Sequence, residues 1–480
     1  MSNYYQINEL DNCAVIIEPN NKIKLGHKIA LKDIHKGEYI YKYGHIIGKA
    51  SQDIKKGEWI HTHNLISHLD ENIEFEYNPT ICDTPKAKAT FQGYKRENGR
   101  AGVRNDIYII PTVGCVNNVV KEIEKKAQSF IKGSVDSVFA LTHQFGCSQL
   151  GEDQENIARL LSSIALNPNA SFVLFVGLGC ENNSIDKIKK ILAQYNRNNF
   201  AFYNCQDVDD EIEYGLNIIK SFIDKAAKLK RQEIDCSELC IGLKCGGSDA
   251  FSGITANPLV GKVSDRIIAL GGSTILTEIP EMFGAEQLLM NRCKNQKIYE
   301  KYSGLIKNFK KYYLDFGYPI YENPSPGNKE GGITTLEEKS LGCITKGGTS
   351  PIVDVLDYGD IVTTNGLNIL DGPGNDLIAS TSLAAAGSQI ILFTTGRGTP
   401  LSTIVPTIKI ASNSNLFNRK KNWIDFDAAS LNEQALFDLV LDVANGKYKT
   451  KQEDNHEMAF FKKGVTLWVI LKRISYYKAT

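Results

Sequence analysis

Between residues 106 and 195 the chain runs three times from an apolar, strand-like stretch through a glycine turn into a helical pattern. The three units are DIYIIPTVGCVNNVVKEIEKKAQSF, SVFALTHQFGCSQLGEDQENIARLLSSIA and SFVLFVGLGCENNSIDKIKKILAQY. Strands that alternate with helices pack as a helix-covered parallel layer, so an α/β fold is predicted. In open parallel sheets, ligands sit beyond the carboxyl ends of the strands. Those ends carry Cys115, His143 with Cys147, and Cys180 with Glu181. The pattern restarts at ELCIGLKCGGSDAFSGITANP (238–258), where Cys245 holds the same place after a strand, and QIILFTTGRGTP adds a further strand-to-glycine turn.

The flanks differ. Residues 1–77 hold short alternating stretches and repeat one idea, DIHKGEYI (33–40) and DIKKGEWI (53–60), which predicts a small all-β domain. Residues 78–92 contain two prolines and weak periodicity and read as a linker. A middle α/β domain is expected over 93–234 and a third over 235–480, matching the roughly three domains that 480 residues suggest. Lys+Arg and Asp+Glu both total 55, so there is no basic excess to favour nucleic acid or an anionic membrane. Apolar runs such as SFVLFVGLG fall far short of the ~20 residues of a spanning helix. The N-terminus lacks the basic and apolar regions of a signal peptide. Eleven cysteines, an odd number at low density, point to a reducing cytoplasmic location.

Cys115, Cys147, Cys180 and Cys245 each sit beside a glycine at the end of an apolar run. They admit two readings: thiolates facing a shared cleft as iron, zinc or iron–sulfur ligands, or small apolar side chains in tight turns. No Cys-x-x-Cys pair occurs, which argues against a zinc ribbon. His61 and His63 point to one face if they lie on a strand, as ligands or hydroxyl readers or as half-exposed edge residues. His27 and His143 are candidate acid/base groups or hydrogen-bonded structural histidines. Glu278 follows the apolar run STIL and could serve as a base or bind a metal, whereas Glu281 and Glu286 also read as helix caps. VGLGCEN and DGPGNDL lack the third glycine of a dinucleotide fingerprint, and no P-loop or nucleophile elbow appears. The glycine loops suit anion seats built from backbone N–H groups, with Arg397 able to fork onto a carboxylate.

Several long blocks resemble one family. FQGYKRENGRAGVRNDIYIIPTVGCVNN, LTHQFGCSQLGEDQENIARLL, VLFVGLGCE, LKCGGSDAFSGITANP, NPSPGNKEGGITTLEEKSLGCITKGG and FTTGRGTP look like the altronate/galactarate dehydratases. LGHKIALKDIHKGEYIYKYGHIIGKASQDIKKGEWIHTHNL resembles that family's N-terminal β-clip, the SAF domain. The resemblance covers about residues 10–467 and fades into an extra tail, 468–480. It implies a β-clip, a middle α/β domain that helps to form a homodimer, and a C-terminal Rossmann-like domain. It also implies iron-dependent removal of water from a sugar acid in carbohydrate-acid catabolism. HTHN and SLGCITKGG resemble the altronate branch more than the galactarate branch, so the implied product is 2-dehydro-3-deoxy-D-gluconate. A related lyase acting on galactarate or a sulfonated hydroxy acid, and a non-enzymatic sugar-acid binder, are the rival readings.

Such a reaction takes a weakly acidic C2 proton and expels the C3 hydroxyl, so it needs a base, an acid and a cation on the carboxylate. The expected metal residues are Cys245, Cys180, Cys147, Cys115 and Glu181; His143, His27 and Glu278 are the expected catalytic groups. His61, His63, Ser248, Asp249 and Arg397 are expected to hold substrate. Fe(2+) is the expected ion, with Mn(2+) or an iron–sulfur cluster as alternatives.

Overall fold

The computed structural model describes residues 3–462 except 19–21, 70–73, 83, 98 and 150. The tail 468–480 lies outside the described residues. The N-terminal unit has two small sheets. One is a four-stranded antiparallel sheet of Tyr4–Tyr5, Cys13–Ile16, Lys28–Ala30 and Trp59–Ile60; the other joins Tyr39–Lys42, His45–Ala50 and Leu65–Ile66. The repeated Asp-Ile-x-Lys-Gly-Glu turns meet as a crossed pair. Ile34 and Ile54 form an antiparallel bridge, Lys36 N donates to Asp53 at 2.8 Å, and Lys56 N donates to Asp33 at 2.9 Å. The repeat therefore exists because each copy completes the other's turn.

The middle region forms a parallel sheet in the order Val138–Ala140, Asp106–Pro111, Ala170–Gly177, Phe200–Asn204. Helices Asn117–Ala127 and Glu211–Ala226 cover one face, and Gly151–Ala165 and Ile185–Leu192 the other. The last third forms a seven-stranded, all-parallel sheet. Its spatial order is Ile352–Leu356, Gly366–Leu370, Ser273–Leu276, Cys240–Cys245, Ile390–Thr395, Thr407–Ala411, Phe426–Asp427. The order reverses beside Cys240–Cys245, and that reversal opens a crevice at the strand ends. Helix Gly151–Ala165 is buried on most sides because it packs on helix Asp376–Ala385, so the two parallel sheets share one apolar cluster. This is the expected α/β architecture with a small all-β unit in front.

Candidate active site

Strand Cys240–Cys245 delivers Lys244 and Cys245 to the crevice. The backbone then passes so close to Asp376 that a Cβ at Gly246 would lie 2.5 Å from a carboxylate oxygen, and Gly247 adopts φ +61°. Glycine is thus required here by close approach and by handedness. Two residues past the end of the next strand, Ser273–Leu276, Glu278 sits in the left-handed region at φ 72°, ψ 54°. That conformation costs on the order of 1–2 kcal/mol for a side chain with a Cβ. It turns the carboxylate under its neighbour: Cys245 N donates to Glu278 Oε2 at 3.1 Å, Lys346 Nζ at 3.3 Å, and Lys244 Nζ bonds Oε1.

The turn Ile279–Glu281 brings Glu281 alongside. Helix Leu336–Ile344, capped by Thr335, supplies Lys339 and Cys343 from consecutive turns of one face, and Lys346 follows it. Glu281 Oε2 accepts from Cys245 Sγ at 3.3 Å and from Cys343 Sγ at 3.2 Å, with the two sulfurs 3.4 Å apart. Lys346 Nζ donates to Cys245 Sγ at 2.8 Å, and Lys339 Nζ to Glu281 Oε1 at 2.8 Å. Burial opposes ionisation of Glu281, but Lys339, Lys244 and Lys346 outweigh it and hold its pKa at about 2. The Cys245 contact and burial push Cys343 well above the ordinary thiol range.

Cys245, Glu281 and Cys343 are the one group of three metal-capable side chains with ligand atoms within 4.8 Å among the described residues. Their chemistry fits a thiolate-seeking dication such as Fe(2+) or Zn(2+) better than the oxygen-seeking Mn(2+). The charges fit as well. Lys244, Lys339 and Lys346 face Glu278, Glu281 and Asp376, so the formal charges of these six groups cancel. A dication that displaces two thiol protons leaves that balance unchanged. Beside the group lies a cleft of about 400 Å³, lined among others by Gly246, Ser248, Asn328, Lys339 and Asp376.

The structure brings together Cys245 and Glu278, with Ser248 on the cleft wall. Ser248 is buried and its hydroxyl has no partner. Asp249 turns away: it accepts from Ser252, Ser412 and Asn413 and organises the loop. Arg397 is exposed and pairs with Glu330 at 3.0 Å. His27, His61 and His63 gather around Trp59 on the β-clip. His27 Nδ1 accepts from Trp59 Nε1 at 3.1 Å, which leaves its Nε2–H to donate to Glu330 O. Helix Pro326–Glu330 separates this cluster from the cleft, because Asn328 lines the cleft while Glu330 faces His27.

His143, Cys115, Cys147, Cys180 and Glu181 lie at the strand ends of the middle sheet, and none lines the Cys245 cleft. His143 is committed to Pro111 O at 2.8 Å and Phe145 N at 3.1 Å, and burial lowers its pKa to about 4. Glu181 accepts from Thr112, Leu178 and Gly179, which fixes its loop. Residues that the sequence reading passed over are Lys244, Lys339, Cys343, Lys346 and Asp376. Lys244 carried a signal, since a lysine inside an apolar strand needs a buried counter-charge.

Three family models match the chain: the altronate/galactarate dehydratase SAF domain over residues 17–68, the D-galactarate dehydratase/altronate hydrolase second domain over 93–227, and the D-galactarate/altronate dehydratase C-terminal domain over 236–466. The chain is 50% identical to an altronate dehydratase of Bacillus subtilis (strain 168), covering 94% of each chain. It is 45% identical to an altronate dehydratase of Escherichia coli (strain K12), covering 97% of this chain and 100% of that one. A galactarate dehydratase (L-threo-forming) of Escherichia coli (strain K12) is 33% identical, over 93% of this chain and 94% of its own. With all three parts matched in order and the alignments running nearly end to end, this chain belongs to the altronate/galactarate dehydratase family.

Proposed function

We propose that the protein is an altronate dehydratase, a hydro-lyase that converts D-altronate into 2-dehydro-3-deoxy-D-gluconate. The substrate follows the two altronate relatives, at 50% and 45% identity, over the galactarate relative at 33%. The observation that carries the chemistry is the buried Cys245–Glu281–Cys343 group at the floor of a polar cleft. Ferrous iron is the proposed ion. Held by Cys245, Glu281 and Cys343, it would supply Lewis-acid stabilisation of the negative charge that builds as the C2 proton leaves.

The protein groups do the rest. Lys339, held charged by Glu281 and lining the cleft, orients the substrate carboxylate. Ser248, with its unpartnered hydroxyl, and Asn328 meet the polyol. Glu278 has both oxygens occupied by Lys244, Lys346 and Cys245 N, so its role is to position those groups. Asp376 lines the cleft, is partly exposed and rests on Lys244 at 3.0 Å; it is the proposed base for the C2 proton. The departing C3 hydroxyl leaves as water with a proton from the solvent that reaches the cleft.

The test is a substrate panel with Fe(II) and thiol under anaerobic conditions, read as 2-keto-3-deoxy acid. Altronate is expected to react best, and equal or faster turnover of galactarate would sink the assignment. Asp376→Asn is expected to lower kcat at least ~100-fold with bound iron unchanged. We further propose a homodimer working in a reducing cytoplasm. The dimer follows the family resemblance, and the described cysteines, all free, are in keeping with a reducing compartment. A sedimentation mass equal to one chain would refute the dimer.

A further inference from the structure

All four strands of the middle sheet run into a loop that carries a cysteine near its start. In spatial order these are Cys147, Cys115, Cys180 and Cys205. The first three loops interlock through backbone groups beside the cysteines. Gly114 N donates to Phe145 O at 2.9 Å, Asn183 N to Gly146 O at 3.1 Å, and Ser148 N to Asn182 Oδ1 at 2.9 Å. The packing is tight: a Cβ at Gly146 would lie 2.2 Å from Thr112 O. Ser148, next to Cys147, is held at φ 58°, an unusual conformation for a residue with a side chain. On this built rim Cys115, Cys147 and Cys180 are exposed. Cys205 differs, since it packs into the apolar cluster beneath the helices.

A second observation comes from the same loops. Gln149 and Asn183 are 2% and 0% exposed, yet Gln149 Nε2 and both polar side-chain atoms of Asn183 have no partner. A buried amide left unpaired is costly, and each such group calls for an explanation. Hydrogen bonds to sulfur are among the protein's ways of tuning an iron–sulfur cluster, and amides supply them.

We infer that Cys115, Cys147 and Cys180 hold an iron–sulfur cluster on this rim, with one iron left open to a non-protein ligand. The spacing does not suit one ion shared by all three thiolates. The three sulfurs do not meet within 4.8 Å as the Cys245 group does, whereas thiolates on a polynuclear cluster bind separate irons and stand farther apart. Glu181, whose carboxylate is taken by Thr112, Leu178 and Gly179, is not a ligand. The site is separate from the Cys245 cleft, so the inference does not rest on the substrate assignment.

The test uses full-length protein purified anaerobically and supplied with iron, sulfide and a thiol. Acid-labile sulfide, the brown sulfide-to-iron absorption and the spin-resonance signal after reduction are measured, with circular dichroism to verify folding. Sulfide binding is expected in the wild type, in Cys205→Ser and in Cys343→Ala, and is expected to be lost in Cys115→Ser, Cys147→Ser and Cys180→Ser. Alkylation mapping of the loaded wild type gives a reading that needs no variant: Cys115, Cys147 and Cys180 are shielded while exposed Cys82 reacts. Wild-type protein without labile sulfide, iron or zinc shielding Cys115, Cys147 and Cys180 without sulfide, or a cluster that survives in the folded triple serine variant would each overturn the inference.

Discussion

The two parallel sheets place cysteines alike, next to glycine beyond or at the carboxyl end of a strand, and surround them in opposite ways. Cys245 is 1% exposed and lies among three lysines and two glutamates. Cys115, Cys147 and Cys180 are exposed, and the carboxylate nearest in sequence, Glu181, is fully engaged in holding its own loop. The local motif is the same, so the chemistry open to each sulfur is set by what other elements bring to it. Helix Leu336–Ile344 makes the difference for Cys245. Its residue 339 pairs with Glu281, its residue 343 supplies the second sulfur, and its residue 338 binds the β-clip.

The sharpest way to break the contrast is to remove the buried charge balance. Glu281→Gln is expected to lose the iron that is bound without labile sulfide and to lower kcat/KM about a thousandfold, equivalent to ~4 kcal/mol. Iron content and turnover, measured together, check this; full iron occupancy in the variant would remove Glu281 from the metal group. The next effect is on stability. Lys28 and Lys42, both on the β-clip, meet Glu338 at 2.7 Å each, and all three side chains are almost wholly buried. Glu338→Ala leaves two buried ammonium groups without a counter-charge and is expected to cost about 3–5 kcal/mol in denaturant unfolding.

Acid separates the two sheets more gently. Burial lowers His143 to about 4 from an ordinary 6.5, so the unfolded chain binds the proton more readily. The stability from keeping His143 neutral is complete above pH 6.5 and lost as pH falls towards 4, worth roughly 3 kcal/mol at most. His456, stacked on Phe139 of the same sheet, is also lowered to about 4 by burial and has the same sign. Glu281 and Glu338 are both held near 2, so their contribution is present above about 4.5 and fades only as pH approaches 2. Hydrogen exchange at pH 5 is therefore expected to quicken in 106–111 and 138–143 before 240–245. The smallest effect is a count: in metal-free folded protein, Cys82, Cys115, Cys147 and Cys180 are expected to react with a thiol reagent before Cys13, Cys240, Cys245, Cys293 and Cys343.

The fold was legible because its signals are local. Strand-to-glycine-to-helix units need no distant partner to be recognised, and the DIHKGEYI and DIKKGEWI turns announce themselves as a pair. The candidate site was only half legible. Cys245 and Glu278 could be found because each ends an apolar run. Glu281 was visible but read equally well as a cap, and Cys343 and Lys346 lie at a helix end where nothing in the local pattern separates a core position from a cleft. Grouping Cys147 and Cys180 with Cys245 rested on their common motif, yet the strand ends belong to different sheets, and one-dimensional spacing does not carry that information. His27 looked like an acid or base, but its ring nitrogens are spent on Trp59 and Glu330, the latter 303 residues away in the chain.

The Lys28–Glu338–Lys42 contact has a consequence for biosynthesis. Glu338 follows Lys28 by 310 residues and Lys42 by 296. At a synthesis rate of about 5–20 residues per second, the first domain to leave the ribosome waits roughly 15–60 s for the carboxylate that neutralises it. Until then both ammonium groups stay hydrated, so the nascent β-clip can shape its own turns but cannot dock. A chain that ends before residue 338 keeps that surface hydrated, because the carboxylate that neutralises Lys28 and Lys42 is missing.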